Sequence, residues 1–320
     1  MANTFVNAEK VVRTGLGLLE RELTLPQLVW RNAGGDFRGA KDDTISIRVP
    51  AYLTHRTRVM RSPTALVFDE LAETKVDVTL DTHVYKGIRI SDEEMTLDIV
   101  DFSEQVTMPA ARAVARGVED TVATAITGAT YPADSQVVID EAAPLAAVLR
   151  ARRLLNDANV PFEGRVLLLG SAVEELILGT NLLTQVDTSG SDSALRDAII
   201  GRLRGFTVVT SNAIPPGEAY AFHRTAFALA LQAPVVPAGA SWGDSVAAGG
   251  IAMRALRDYA PEATGGPSDR LLVDVFAGAD VVTDEGEFDE NGKFVPWDGD
   301  GHEPDGVLTR AVKLTYHDDS

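Results

Sequence analysis

Five histidines, two acidic clusters and one arginine-rich heptad are the groups in this chain most able to do chemistry, and their spacing argues against it. His55, His83, His223, His302 and His317 are dispersed, none in the H-x-x-x-H or H-E-x-x-H spacing that sets two imidazoles on one helical face for zinc. Cysteine is absent, which excludes disulfides and thiolate metal sites. A Ser-His-Asp triad assembles only in space, so the sequence leaves it open. No G-x-S-x-G elbow exists, however, and Gly170-Ser171 reads as an ordinary helix cap. There is no phosphate loop and no dinucleotide fingerprint, and Gly15 and Gly17 lie inside a helical pattern. No catalytic residue, cofactor site or metal site is expected.

The acidic clusters, Asp284 to Glu290 and Asp298 to Asp305, offer oxygens that suit a hard cation such as calcium. The second lacks a third carboxylate at the required offset and a closing glutamate, and it carries Pro304, so a solvated acidic surface is the reading taken. HRTRVMR, with Arg56, Arg58 and Arg61, lacks the interleaved aromatics of a nucleic-acid platform and sits in a chain of net charge −18. Solvation is the plainest account of these arginines; of the binding readings, contact with acids on a neighbouring subunit is favoured over nucleic acid. Charge is unevenly placed. Met1 to Arg61 holds ten Lys and Arg against six acids, and Asp284 to Gly306 holds nine acids against Lys293 alone. The two ends could attract each other between copies, although salt screens exposed pairs.

The elements that would position these groups follow from periodicity. With 320 residues, of which 45% are hydrophobic, the chain can build one large domain or two ordinary ones, and it reads as cytosolic, without a signal peptide or membrane span. Lys75 to Ile90 places Val76, Val78, Leu80, Val84, Ile88 and Ile90 on one parity, a two-faced strand. Unbroken, it would extend roughly 50 Å, too far for a body with a radius of gyration of roughly 20 Å. Either it breaks at Gly87 or it projects as an arm whose apolar row, Val76, Val78, Leu80 and Val84, is covered by another copy of the chain. Thr44–Val49 is its strand partner, the two forming a long hairpin around a charged excursion. Phe5 to Leu25 carries an amphipathic helical stripe.

Ser91 and Glu94 form a capping box. A helix from Phe102 to Thr127 follows, about 38 Å long, with a stripe of small residues suited to close packing and Pro109 as a kink or first turn. A strand at Val137 to Ile139 and a helix from Ala142 to Ala158 come next. Val160 to about Pro234 has the texture of a compact α/β subdomain, with Ser171 and Glu174 as a second capping box. VAAGGIAMRALRDY and RLLVDVFAGADVV read as two strands that return to the first unit, making the α/β part an insertion. The acidic segment is a loop or a hairpin turning at Asn291-Gly292.

This order resembles the major capsid protein of tailed bacteriophages, an α+β fold shared with encapsulin shells and herpesvirus capsid floors. Local sequence agrees: an MANTF start, TISIRVP, VYKGIRISDEEMTLDIVDF, VPFEGRVLLLG, GRLRGFTVVTSNAIPPG and RALRDYAPEATGGPSDRLLVDVFAGADVV resemble phage coat proteins in sequence and in order, to about Val282. The resemblance implies an N-terminal arm at 1–43, an extended loop at 44–90 and a peripheral domain with the spine helix at 91–159. It places an axial domain at 160–240, and a return to the peripheral domain with an acidic C-terminal segment at 241–320. It further implies an icosahedral shell of pentamers and hexamers around double-stranded DNA, with the extended loop lying across the neighbouring subunit; the candidate subunit contacts are Val76, Val78, Leu80 and Val84 of that loop, with Arg56, Arg58 and Arg61 of the charged excursion. A separate scaffolding protein is expected, since about 43 residues before the first strand are few for a built-in scaffold; a portal is a further expected partner, and whether a decoration protein joins them is left open. Some relatives join Lys to Asn; Lys75 and Lys86 lie in the loop, but no acceptor is identifiable and no cross-link is expected. The virion is the expected location, after assembly in the host bacterial cytoplasm. An encapsulin shell around an enzyme cargo, or more remotely a cytosolic α/β enzyme or binding protein, are the alternatives.

Overall fold

Alternating and helical patterns become strands and helices in the computed structural model, which describes residues 24–31, 44–49, 57–62, 65–66, 68, 74–97, 102–179, 199–240, 242–248, 251–260, 267–290, 293–296 and 306–317. The expected Phe5 to Leu25 helix, all but its last two residues, and the Asn291-Gly292 turn lie outside them. The chain begins with α1 (Leu25–Leu28), β1 (Trp30–Arg31), β2 (Thr44–Val49), β3 (Thr74–Thr79) and β4 (Thr82–Ser91). Next come α2 (Asp92–Leu97), a π-turn at Ser103–Thr107, α3 (Met108–Gly128), β5 (Gln136–Val138), α4 (Pro144–Asp157), β6 (Arg165–Leu169) and α5 (Ser171–Leu178). Strands β7 (Ile199–Leu203), β8 (Phe206–Thr210), β9 (Glu218–His223), β10 (Phe227–Gln232), β11 (Trp242–Ala248) and β12 (Ile251–Ala260) follow. The last are β13 (Ser268–Val281), β14 (Gly286–Phe288), β15 (Phe294–Pro296) and β16 (Ala311–Thr315).

Two six-stranded sheets carry the body. In the first, β13 is the axis: β12 and β10 pair with it along one edge, β4 along the other, β11 extends from β12, and the short β1 lies parallel to β10. Helix α3 covers one face. Its buried side is Ala110, Ala111, Val114, Ala115, Val118, Val122, Ala123 and Ile126, mostly small residues that let the helix lie close on the sheet. Gly117 marks a close approach, where a Cβ would stand 2.5 Å from Val84 Cγ1 of β4. Pro109 sits in the first turn of α3, and the π-turn before it completes the run from Phe102. Ser91 and Glu94 close a reciprocal cap around α2, with the Ser91 amide donating to Glu94 Oε2 at 2.9 Å and the Glu94 amide to Ser91 Oγ at 3.3 Å.

The second sheet has the order β5-β16-β9-β6-β8-β7. It differs from the expected 160–240 unit in three ways. Strand β5 and helix α4, which precede residue 160, belong to it, as does β16 from the far end of the sequence, while β10 belongs to the first sheet. Membership is decided by pairing partners distant in sequence, which a local apolar run such as AFALAL cannot specify. The second expected capping box is also absent. Gly170 is the cap of α5, and the Ala172 and Val173 amides donate to the Pro216 carbonyl, at 3.1 and 3.3 Å. A neighbouring backbone oxygen has taken the place of the Ser171 side chain.

The Lys75–Ile90 run is two strands and not one. The break falls at Leu80-Asp81, not at Gly87, which sits inside β4 opposite Leu272 with open space beside it. Two residues at the break preserve the alternation, so the period alone carries no trace of it.

Candidate subunit interface

Strands β2 and β3 pair only with each other among the described strands, Thr44 opposite Thr79 and Val49 opposite Thr74. They form a two-stranded ribbon about 20 Å long, with residues 50–73 as the excursion between them. The ribbon's root lies against the first sheet. There the chain crosses β13 so closely that a Cβ on Gly278 would stand 2.0 Å from the Thr79 carbonyl oxygen. Val78 is fully buried in a small core with Ala228, Ala230 and Val282, against which Trp30 and Leu80 pack.

The four apolar candidates therefore have different fates from a bare row awaiting another chain. Val78 is buried inside its own chain, and Leu80 and Val84 are half-buried on the small core and the main core respectively. Val76 is paired with Ile47 in the ribbon. Cover for Val78, Leu80 and Val84 comes from the same chain because the run bends onto β13 at Leu80-Asp81.

Arg58 and Arg61 are exposed in the excursion, and Arg56 lies outside the described residues. The Ser62 amide donates to the Val59 carbonyl at 3.2 Å, closing a tight turn in which Arg61 has a φ of 62°. Arg58 donates to the Ser62 carbonyl. Around these arginines the apolar side chains point to solvent: Met60 is 90% exposed and Phe68 88%, with Val59 and Leu66 also open. Sequence reasoning missed these four, since the stretch has no period. The available signal was composition, large apolar residues set in a charged loop.

Other polar clusters are occupied structurally. Asp274, fully buried on β13, accepts from Arg254 Nε at 2.9 Å and lies 3.0 Å from His83 Nε2, so its carboxylate ties β4, β12 and β13 together. Asp284 of the first acidic cluster takes Arg310 and Thr309, and Asp289 accepts from the Lys293 amide at 2.8 Å. The whole of the second acidic cluster, like His55 and His302, lies outside the described residues. His223 is buried with Nδ1 2.7 Å from Thr225 Oγ1. Burial, reinforced by Arg310, Arg165 and Arg224, holds its pKa below the ordinary value and the ring neutral. Arg165 spends its guanidinium on the Pro161 and Val160 carbonyls and Asn156.

Comparison with known proteins agrees with a body built for packing. The chain aligns over 91% of its length with 90% of a chain from Mycobacterium phage Che8, at 21% identity and a TM-score of 0.56. It aligns over 100% of its length with 91% of a chain in the capsid of cyanophage P-SCSP1u, at 12% identity and a TM-score of 0.56. For the mature capsid of bacteriophage PhiM1 the figures are 100% and 90%, with 12% identity and a TM-score of 0.55. Among curated protein sequences none matches. The likeness to these structures establishes the fold. Residues 73–270 match the family described as phage capsid protein. That span is more than half of the sequence, and on it the chain belongs to the phage capsid protein family, as a structural protein and not an enzyme.

Proposed function

We propose that the chain is the major capsid protein of a tailed double-stranded DNA phage, self-assembling through pentamers and hexamers into an icosahedral head. The observation that carries this reading is the ribbon of β2 and β3. An isolated two-stranded ribbon is marginal in water at best, and this one ends in Val59, Met60, Leu66 and Phe68, all exposed. Such an arm reaches an ordered, dry state by lying on another molecule, and in a shell every copy both offers an arm and receives one. Many weak contacts of this kind add up because the shell repeats them.

In this reading residues 44–79 form the extended loop, and Met108–Gly128 is the spine. The second sheet gathers near the capsomer axes. Arg56, Arg58 and Arg61 meet acids on the adjoining subunit. Negative-stain electron microscopy of the purified protein, alone and coexpressed with its neighbouring genes, tests this. Closed shells or capsomer rings are expected, and a uniform small oligomer under both conditions would overturn it. The same preparations reveal whether separate scaffolding, portal or decoration proteins take part. No described helix is long and apolar enough to cross a membrane, and a net charge of −18 suits a shell that holds DNA without gripping it.

A further inference from the structure

The small core at the root of the ribbon has two tenants from distant parts of the sequence. Its floor is one face of the β10–β13 pair, where Ala228, Ala230 and Gly278 present little or no side chain. Onto this floor come Val78 and Leu80 from the ribbon and Trp30 from β1, which is in register with Ala228. The segment holding Trp30 is itself tied to α3. Glu119 Oε1 accepts from the amides of Thr24 and Leu25 at 2.5 and 3.3 Å, and Leu25 is fully buried in the main core.

We propose that this socket is a coupling joint, through which the segment Leu25–Arg31 and the ribbon of β2 and β3 hold each other in place. The physical reason is the thinness of the floor. Two alanine methyls, a glycine and the one larger side chain of Val282 give each tenant little to pack against separately, so the dry environment of Val78 depends on Trp30 and Leu80 closing the same cluster. Residues that share one cavity are expected to respond together. Gly278 adds rigidity, because the Thr79 carbonyl rests where a side chain would be. A pull on either segment is then felt at the other across only the width of the β10–β13 pair, a contiguous packed connection with both ends visible.

Hydrogen exchange on the full-length unassembled chain, read by mass spectrometry, tests the joint. Trp30→Ala is expected to raise exchange at least tenfold at Val76–Leu80 as well as at Leu25–Arg31, and Val78→Ala to do the same in reverse, with β6 (Arg165–Leu169) unchanged. If each substitution loosens only its own segment, the joint does not exist. Should Trp30→Ala lose protection throughout, Leu80→Ala removes a half-buried group from the same socket, and exchange at Leu25–Arg31 decides the matter. The coupling does not rest on the capsid reading. Coupled exchange in a chain that never forms shells would remove the function and leave the joint, and shells with uncoupled exchange would do the opposite.

Discussion

Gly278→Ala is the sharpest perturbation the structure offers. The added Cβ would meet the Thr79 carbonyl oxygen at 2.0 Å and the Thr79 carbonyl carbon at 2.8 Å, both backbone atoms that cannot swing aside. Real Cβ contacts essentially never fall under 3.0 Å, so the ribbon's root must lift by about 1 Å or more, and Val78 must leave its socket in part. Overpacking of this kind costs about 1–3 kcal/mol, or roughly 5- to 150-fold in the folding equilibrium at 1.4 kcal/mol per tenfold. Urea denaturation of the unassembled chain should register that loss, and shell yield by electron microscopy should fall with it, because the displaced root re-aims the whole arm. The matched control is Gly87→Ala on neighbouring β4, where nothing lies within 4 Å and stability should change by less than about 0.5 kcal/mol. Equal behaviour of the two variants would refute the argument that the crossing at Gly278 is a close backbone contact.

Further outcomes follow from the exposed tip and the buried charges. Met60→Ser combined with Phe68→Ser should leave the denaturation midpoint of the free chain within about 0.5 kcal/mol, since both side chains face water, yet abolish shells in micrographs; wild-type assembly would remove the tip from the interface. Asp274→Ala leaves Arg254 without its carboxylate in a largely buried position, and should cost about 3–5 kcal/mol by urea titration. His223 has a folded pKa below its unfolded value, so the unfolded chain takes up a proton first. Its stabilising contribution is therefore present above the unfolded value near 6.5 and is lost as pH falls toward the folded pKa. Melting temperatures between pH 7.5 and 5 should decline less steeply for His223→Gln than for the native chain. Glu119→Ala removes the acceptor for the Thr24 and Leu25 amides, an expected loss of about 1 kcal/mol in the same denaturation assay.

Alternation gave Thr44–Val49 as a strand, and helical spacing gave the long helix with its small packing face, because both patterns are local and period-bound. Even there the detail moved: Ala113 is exposed whereas Ala111, Ala115 and Ala123 are buried, a rotation that only the position of the sheet fixes. The break at Leu80-Asp81 was invisible, since it keeps parity and the backbone it passes against, at Gly278, is some two hundred residues away. The assignment of β5, β10 and β16 to their sheets was hidden for the same reason. The Arg58 and Arg61 turn was legible as a charged excursion, whereas its exposed apolar companions followed no period that could announce them.

The place of β16 has a temporal consequence. This strand lies between β5 and β9, with Lys313 beside both Gln136 and Tyr220, and Val312 and Leu314 are buried in the second core. During synthesis that core stays open until residue 315 has left the ribosome, and the facing edges of β5 and β9 remain unpaired until then. A nascent chain is thus unable to complete the second sheet, however many finished copies surround it. The second sheet is therefore completed only at the end of translation, and a chain that stops short of Ala311 would carry two bare strand edges open to pairing with other chains.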